Sequence, residues 1–355
     1  MARMTLSGNR RKCFYGKTKA EALSKLKKAM GDQDRGLTIV SERQTVEQFL
    51  THWLEVVRST VKDATYANYE TYVRVHAAPE LGKVKLAHLT AQHLQALYAK
   101  KLKQGLSSTS VAHLHAVMHR ALHQALRWGA VATNVAEAAE PPRRRRIEFR
   151  TLNPEEARCF LEAAKEDRFE ALFVLALTSG LREGELLALR WKDIDFESKS
   201  LQVMQTVRRS RIQKALIFSE PKTDRSRRRV ILADVALAAL RRHRLTQLEE
   251  RLKAGSLWED NDLVFANQVG KPVEAGNMLH RYFWPLLERA GLPRIRFHDL
   301  RHSAATLLMS RGIHPKVVSE MLGHSQISIT MDLYSHVLPT MQGEAAAAME
   351  AIIKG

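Results

Sequence analysis

From Val46 to Val57 apolar residues return every three or four positions, at Val46, Phe49, Leu50, Trp53, Val56 and Val57. That is the period of a helix with one buried face. The same spacing predicts helices over about 64–78, 90–104 and 107–128, with breaks at Pro79, Gly82, Gly105 and Gly129, residues that interrupt helical hydrogen bonding or favour a left-handed turn. Asn153 followed by Pro154 opens another helix, as N-cap and first helical residue. The run 169–179 is apolar on every side and stops at Gly180, the pattern of a buried helix. A strand-rich stretch covers 200–232, with turns expected at Arg208–Arg211 and Pro221–Asp224. Helical patterning then resumes over 234–252, 275–290, 299–311, 315–322 and 326–335. An Ala-rich amphipathic tail, Gly343 to Ile353, leaves Met349, Ile352 and Ile353 for packing.

Ahead of these helices, Arg10 to Tyr15 reads as a strand. Thr18 and Glu21, three apart, form a capping-box start for a helix to about Met30, and 32–36 reads as a linker. Two prolines and four arginines, Pro141 to Arg146, mark the clearest boundary, since four guanidiniums cannot be buried together. No repeat at a fixed period is visible. The expected organisation is a strand-plus-helix segment with linker over 1–40, a helical domain over 41–140, a basic linker over 141–150, a larger mixed domain over 151–338 and a tail helix over 339–355.

Composition changes this picture through charge. Apolar residues make up 45%, which excludes wholesale disorder, but 56 Lys and Arg stand against 38 Asp and Glu, a net +18. Such an excess points to a polyanionic partner, most often nucleic acid. The first 40 residues alone carry +7. Their basic residues, Arg10, Arg11 and Lys12 foremost, are candidates for phosphate contacts, as are Arg143, Arg144, Arg145 and Arg146 across the boundary. Two cysteines, Cys13 and Cys159, make no disulfide framework and fit a reducing compartment. No apolar run approaches the roughly 18 residues of a membrane span.

Four stretches combine polar groups that are hard to bury with turn or helix-start signals. In Thr178–Leu186, Gly180 ends one helix, Arg182 falls at the next helix's first turn, and Glu185 is spaced to brace its guanidinium. Lys222 projects from the Pro221–Asp224 turn. In His298-Asp-Leu-Arg-His302, positions 298, 301 and 302 share a helix face. This stretch has two readings. One is an imperfect zinc-hydrolase pattern with Asp299 in place of the usual Glu and Arg301 as an intruding cation; the other is a phosphate cradle in which Asp299 caps or braces. In Met321–His336, Gly323 breaks a helix before His324, and Tyr334 follows ten residues on. On one straight helix those two would stand about 15 Å apart, so they share a site only if the chain bends. A further four histidines, His113, His115, His119 and His123, crowd the helix at 107–128. Three of them form a single i, i+4 stripe without Cys or carboxylate, which reads as a surface stripe ahead of a metal site.

In this order, Arg182 in Leu-Arg-Glu-Gly-Glu-Leu, Lys222 in Pro-Lys-Thr, His298 and Arg301 in His-X-X-Arg, His324 in Leu-Gly-His, and Tyr334 resemble the motifs of the tyrosine recombinase (phage integrase) family. The resemblance spans about 150–338 and extends more loosely over 45–140, which is similar to that family's SAM-like core-DNA-binding domain. Residues 1–30 resemble the last strand and helix of its arm-binding domain. The resemblance implies a multidomain, mainly α protein: a helical core-binding domain and a mixed α/β catalytic domain with a small antiparallel β-sheet. It implies that Tyr334 attacks a DNA phosphodiester to form a 3′-phosphotyrosine link. Arg182 and Arg301 would hold the phosphate, His298 and His324 would donate or move protons, and Lys222 would protonate the leaving 5′-oxygen. Glu185 and Asp299 would support them from behind. It further implies no cofactor and no metal, paired duplex DNA sites as substrate, a homotetramer passing through a Holliday junction, accessory bending or directionality proteins, and residence in the bacterial cytoplasm near the nucleoid.

Overall fold

Thr45 accepts the backbone N–H of Gln48, and the Gln48 amide returns the bond to the N–H of Thr45, closing a capping box that starts a helix. This computed structural model describes residues 2–5, 11–16, 18–34, 43–143, 149–210, 213–220, 227–324, 326–334 and 341–354. The chain divides into two units, Met1–Ile147 and Glu148–Gly355. Among the described residues no helix is long and apolar enough to cross a membrane.

The first unit begins with an antiparallel pair, β1 (Ala2–Thr5) and β2 (Arg11–Phe14), followed by α1 (Lys19–Asp34). Two strands therefore precede the helix where one was expected. Glu21 N–H donates to Thr18 Oγ1 at 3.2 Å, starting α1, which runs to Asp34 and so enters the stretch expected as a linker. The helices α2 (Val46–Val57), α3 (Asp63–Thr71), α4 (Ala78–Leu81), α5 (Ala91–Lys103) and α6 (Ser108–Arg127) follow. Val46, Phe49, Leu50 and Trp53 are buried with Leu94, Leu114 and Met118 in one core, whereas Val56 points to solvent.

The predicted break at Pro79 does not occur. A π-helical turn, Tyr72–Ala77, joins α3 to α4, and Ala78 N–H reaches back five residues to Val73 O. The wider turn lets the proline ring clear the carbonyl of the preceding turn, the clash that would otherwise kink an α-helix. The second unit repeats the device: a π turn over Leu279–Phe283, with Trp284 N–H on Leu279 O, precedes Pro285.

In the second unit α7 (Pro154–Ala163) starts on an Asn153 capping box, and α8 (Glu170–Ser179) is buried on nearly all sides. A four-residue helix, α9 (Glu183–Leu186), follows at once. A three-stranded antiparallel sheet orders β3 (Ile194–Asp195), β4 (Ser200–Gln202) and β7 (Arg229–Ile231). The hairpin of β5 (Thr206–Arg209) and β6 (Leu216–Ser219) stands between β4 and β7 in sequence. Arg208 and Arg209, expected in a turn, are the last residues of β5, and the turn comes after them. The remaining helices are α10 (Asp234–Ala254), α11 (Ala275–Met278), α12 (Trp284–Arg289), α13 (Phe297–Met309), α14 (Pro315–Leu322), α15 (Ile327–Tyr334) and α16 (Met341–Lys354). Phe160, Phe173 and Phe283 form the aromatic centre of the core, and α13 packs on α8. The mainly helical architecture with small antiparallel sheets is the expected one.

Three close approaches fix the elements that carry the polar stretches. Gly180 adopts φ 61°, and a Cβ there would run into the buried Leu322 side chain of α14. Gly184 faces β5, where a Cβ would meet Thr206 Oγ1 at 2.5 Å. Gly323, at φ 68°, terminates α14, and a Cβ would lie 2.9 Å from Arg228 Nη1. Left-handed backbone strain and overpacking act together in Gly180→Ala. We expect it to destabilise the second unit by about 2 kcal/mol or more, read as a lowered midpoint in chemical denaturation.

Candidate active site

The last carbonyls of α14 have no partner within the helix. Arginines supply one. Arg228 Nε donates to Met321 O at 2.7 Å, Arg301 Nη2 to Leu322 O at 2.7 Å, and Arg182 Nη2 to Gly323 O at 3.2 Å. Cations suit this end of a helix, where the dipole is negative. Arg301, 3% exposed, also donates through Nη1 to Gly180 O at 2.7 Å, tying the α8 terminus to the α14 terminus.

Glu185 sits between two of these arginines. It accepts Arg182 Nη1 at 2.7 Å, the Arg182 backbone N–H at 3.0 Å, and Arg228 Nη2 at 2.9 Å. Burial pushes its carboxyl up, but the Arg228 hydrogen bond and the charges of Arg228 and Arg182 outweigh burial and hold it below the usual range. The Arg182 side chain is still 37% exposed, so its guanidinium is held from behind and open to a ligand.

His298 stands in the first turn of α13 because Asp299 caps that helix: Arg296 N–H donates to Asp299 Oδ2 at 2.8 Å, and the Arg296 guanidinium also pairs with Asp299. Asp299 therefore shapes the turn that presents His298. Burial, then the charges of Arg301, Arg182 and Arg296, lower the His298 pKa. His302 meets His298 edge to face at 4.9 Å and stacks on Phe149 at 4.2 Å, a packed ring one turn behind. Burial, then His298, drives its pKa down to about 4.

His324 follows Gly323 directly, so the αL turn at the α14 terminus aims it. Its Nδ1 is 2.8 Å from Thr330 Oγ1 of α15, and burial with the charges of Arg301 and Arg182 lowers its pKa to about 4. α14 and α15 pack on each other, and His324 touches Thr330 six residues on, so the chain is not one straight helix from His324 to Tyr334. For Tyr334, the last residue of α15, the structure describes the backbone alone. Lys222 lies outside the described residues, within the segment joining β6 to β7.

The structure thus gathers Arg182, Arg301 and His324 at the α14 terminus, with Glu185 behind Arg182, His298 within reach of both arginine charges, and Asp299 capping the helix that carries His298 and Arg301. Arg228 joins them, and sequence reasoning missed it, because it stands in the Arg225–Arg229 run where it reads as surface charge. Its side chain is 7% exposed. Arg11 and Lys12 occupy β2 with only their backbone described, Arg143 is exposed, and Arg10, Arg144, Arg145 and Arg146 lie outside the described residues. The α6 histidines are spent on ring contacts: His115 bonds Tyr98 at 3.0 Å, and His119 and His123 stack. Among the described residues no group of three or more His, Cys, Asp or Glu is arranged to hold a metal ion.

Residues 150–341 match the phage integrase family, and 45–102 match the phage integrase N-terminal SAM-like domain. A tyrosine recombinase XerC-like protein of Caldanaerobacter subterraneus is 36% identical, over 96% of this chain and 91% of its own length. An integrase of Streptomyces ambofaciens is 31% identical, over 96% and 88%. Among solved structures, the Tn1549 transposon integrase in complex with transposon right-end DNA superposes with a TM-score of 0.73 at 23% identity, covering 87% of this chain and 99% of that one. A lambda integrase tetramer bound to a Holliday junction gives 0.60 at 18%, covering 94% and 91%.

Two outcomes follow from the buried charges. Arg228→Ala removes one of the two arginines that compensate Glu185 and frees Met321 O. It should cost about 3–5 kcal/mol in denaturant unfolding, the range for breaking a buried pair. His302 and His324 titrate near 4 in the folded protein, against 6.5 for an ordinary histidine. Between those values the unfolded chain binds protons that the folded chain refuses. Stability from these rings is therefore full above about pH 6.5 and is lost as the pH falls toward 4. Denaturation midpoints measured across that interval should decline, and His302→Gln should flatten the decline.

Proposed function

This chain belongs to the phage integrase family and is a tyrosine recombinase, and we propose that it integrates or excises a phage or mobile element by breaking and rejoining DNA at paired sites. The carrying observation is the meeting of Arg182, Arg301 and His324 at the α14 terminus, with His298 within reach of both arginine charges, directly ahead of the helix that ends in Tyr334.

In this reading the Tyr334 phenolic oxygen attacks the scissile phosphorus, forming a 3′-phosphotyrosine bond as the bond to the 5′-oxygen breaks. The phenol passes its proton to the neutral His298 ring, and Lys222 supplies one to the departing oxygen, which would otherwise leave as a poor alkoxide. A 5′-hydroxyl from the second strand reverses the step. The number of phosphodiester bonds is conserved, so no ATP is consumed. Charge grows on the non-bridging oxygens during attack. The half-open Arg182 fork meets it directly, and the buried Arg301 adds a fixed positive charge that need not reorganise. His298 and His324 act as neutral rings at ordinary pH, because burial, and then the cations around them, disfavour protonation.

Double-stranded DNA as substrate is supported by the net charge of +18 and by solved neighbours that are named as DNA complexes. We assign Arg10, Arg11, Lys12 and Arg143 to Arg146 to phosphate contacts, residues 41–140 to core-site binding and 151–338 to catalysis. Assembly as a tetramer through a Holliday junction is supported by the lambda integrase neighbour and by exposed Met349, Ile352 and Ile353 on α16. Accessory bending or directionality proteins and a cytoplasmic, nucleoid-associated setting complete the reading. A nicked suicide duplex built from the junctions flanking the element should trap a protein–DNA adduct that survives denaturant. The adduct should vanish in Tyr334→Phe; if it persists there, Tyr334 is not the nucleophile.

A further inference from the structure

Thr330 is fully buried on α15, and among the described residues its hydroxyl has one partner, His324 Nδ1 at 2.8 Å. Two other helical threonines spend the hydroxyl locally: Thr71 donates to Ala67 O at 2.8 Å and Thr178 to Val174 O at 2.7 Å, each four residues back. Thr330 turns instead to a ring on another segment. Thr330 and Tyr334 are four residues apart, so they share one face of α15.

The direction of that bond follows from hydrogen counting. A buried hydroxyl hydrogen without an acceptor costs the full desolvation of the group. If Nδ1–H donated to Oγ1, the Thr330 hydrogen would have nowhere to go. If the hydroxyl donates to Nδ1, both atoms are satisfied and the ring proton lies on Nε2. We infer that Thr330 is a positioning residue that sets His324 as a hydrogen-bond donor: its hydroxyl occupies Nδ1, so Nε2–H is presented to a non-bridging oxygen of the phosphate. The inference rests on the recombinase reading and assigns one of its two histidines to donation, which removes proton abstraction from the roles of His324. The lowered pKa of His324 agrees, because a ring that stays neutral keeps Nδ1 as an acceptor. The same bond anchors α15, the nucleophile's helix, to the turn that carries His324. Helix docking and donor orientation are therefore one event.

The test compares the full-length protein with Thr330→Val, which keeps the shape and loses the hydroxyl, and Thr330→Ser, which keeps the hydroxyl. Single-turnover cleavage of the suicide duplex should slow about 10- to 100-fold in Thr330→Val, the scale of a small misplacement of a reacting group. DNA affinity should stay unchanged, and Thr330→Ser should recover most of the rate. Independently of any substrate, two-bond proton–nitrogen spectra of the histidine rings should show wild-type His324 protonated on Nε2, with Thr330→Val shifting to mixed tautomers; loss of the signal in His324→Gln assigns it. Wild-type cleavage by Thr330→Val, or a wild-type ring protonated on Nδ1, overturns the inference. A wild-type protein that forms no Tyr334-dependent adduct overturns the recombinase reading instead, and the ring spectra still decide which atom carries the proton.

Discussion

The structure of the site depends on guanidiniums bonded to main-chain carbonyls at the end of one short helix. Arg182, Arg228 and Arg301 come from three different parts of the chain, and each spends at least one N–H on the Met321 to Gly323 carbonyls. A helix terminus is a rigid set of acceptors with partial negative charge, so it can hold cations together whose mutual repulsion would otherwise spread them apart. Glu185 reduces that repulsion between two of them. The cationic nest is therefore built during folding, as part of the second unit's packing, and charge stabilisation is preorganised before any ligand is bound.

Glycine is what allows the approach. The α8 terminus at Gly180 and the α14 terminus at Gly323 meet closely enough for one arginine, Arg301, to bridge them. A side chain at either position would push against Leu322 or Arg228. The histidines inherit their properties from the same crowding: burial and nearby fixed charge keep His298, His302 and His324 neutral.

Much of this was legible in the amino-acid sequence, for reasons that differ by residue. Trp53 and Phe49 announced their helix through spacing, and Gly180 and Gly323 announced helix ends because only glycine adopts that backbone freely. Arg182 and Glu185 stood three apart beside a helix start, so their pairing was local and readable. Arg228 was not readable, because its partners are Glu185 and Met321, 43 and 93 positions away, and its neighbours in sequence are also arginines. Thr330 was equally silent: a threonine in a helix gives no sign of whether its hydroxyl turns inward to its own backbone or outward to another segment. Pro79 misled for a different reason, since a break was expected and the backbone widened instead.

That widening constrains how the chain can change. A π turn is one residue more than an α-helix would need, and at Leu279–Phe283 the extra residue is locked in place by Pro285, just as Tyr72–Ala77 is locked by Pro79. Removing one residue would return the segment to an ordinary α-helix with the downstream phase kept, so buried Leu286 and Leu287 would still face the core while the proline met the carbonyl it now avoids. Each π turn and its proline are thus acquired or lost together: the ring forbids the deletion that helix phase alone would allow.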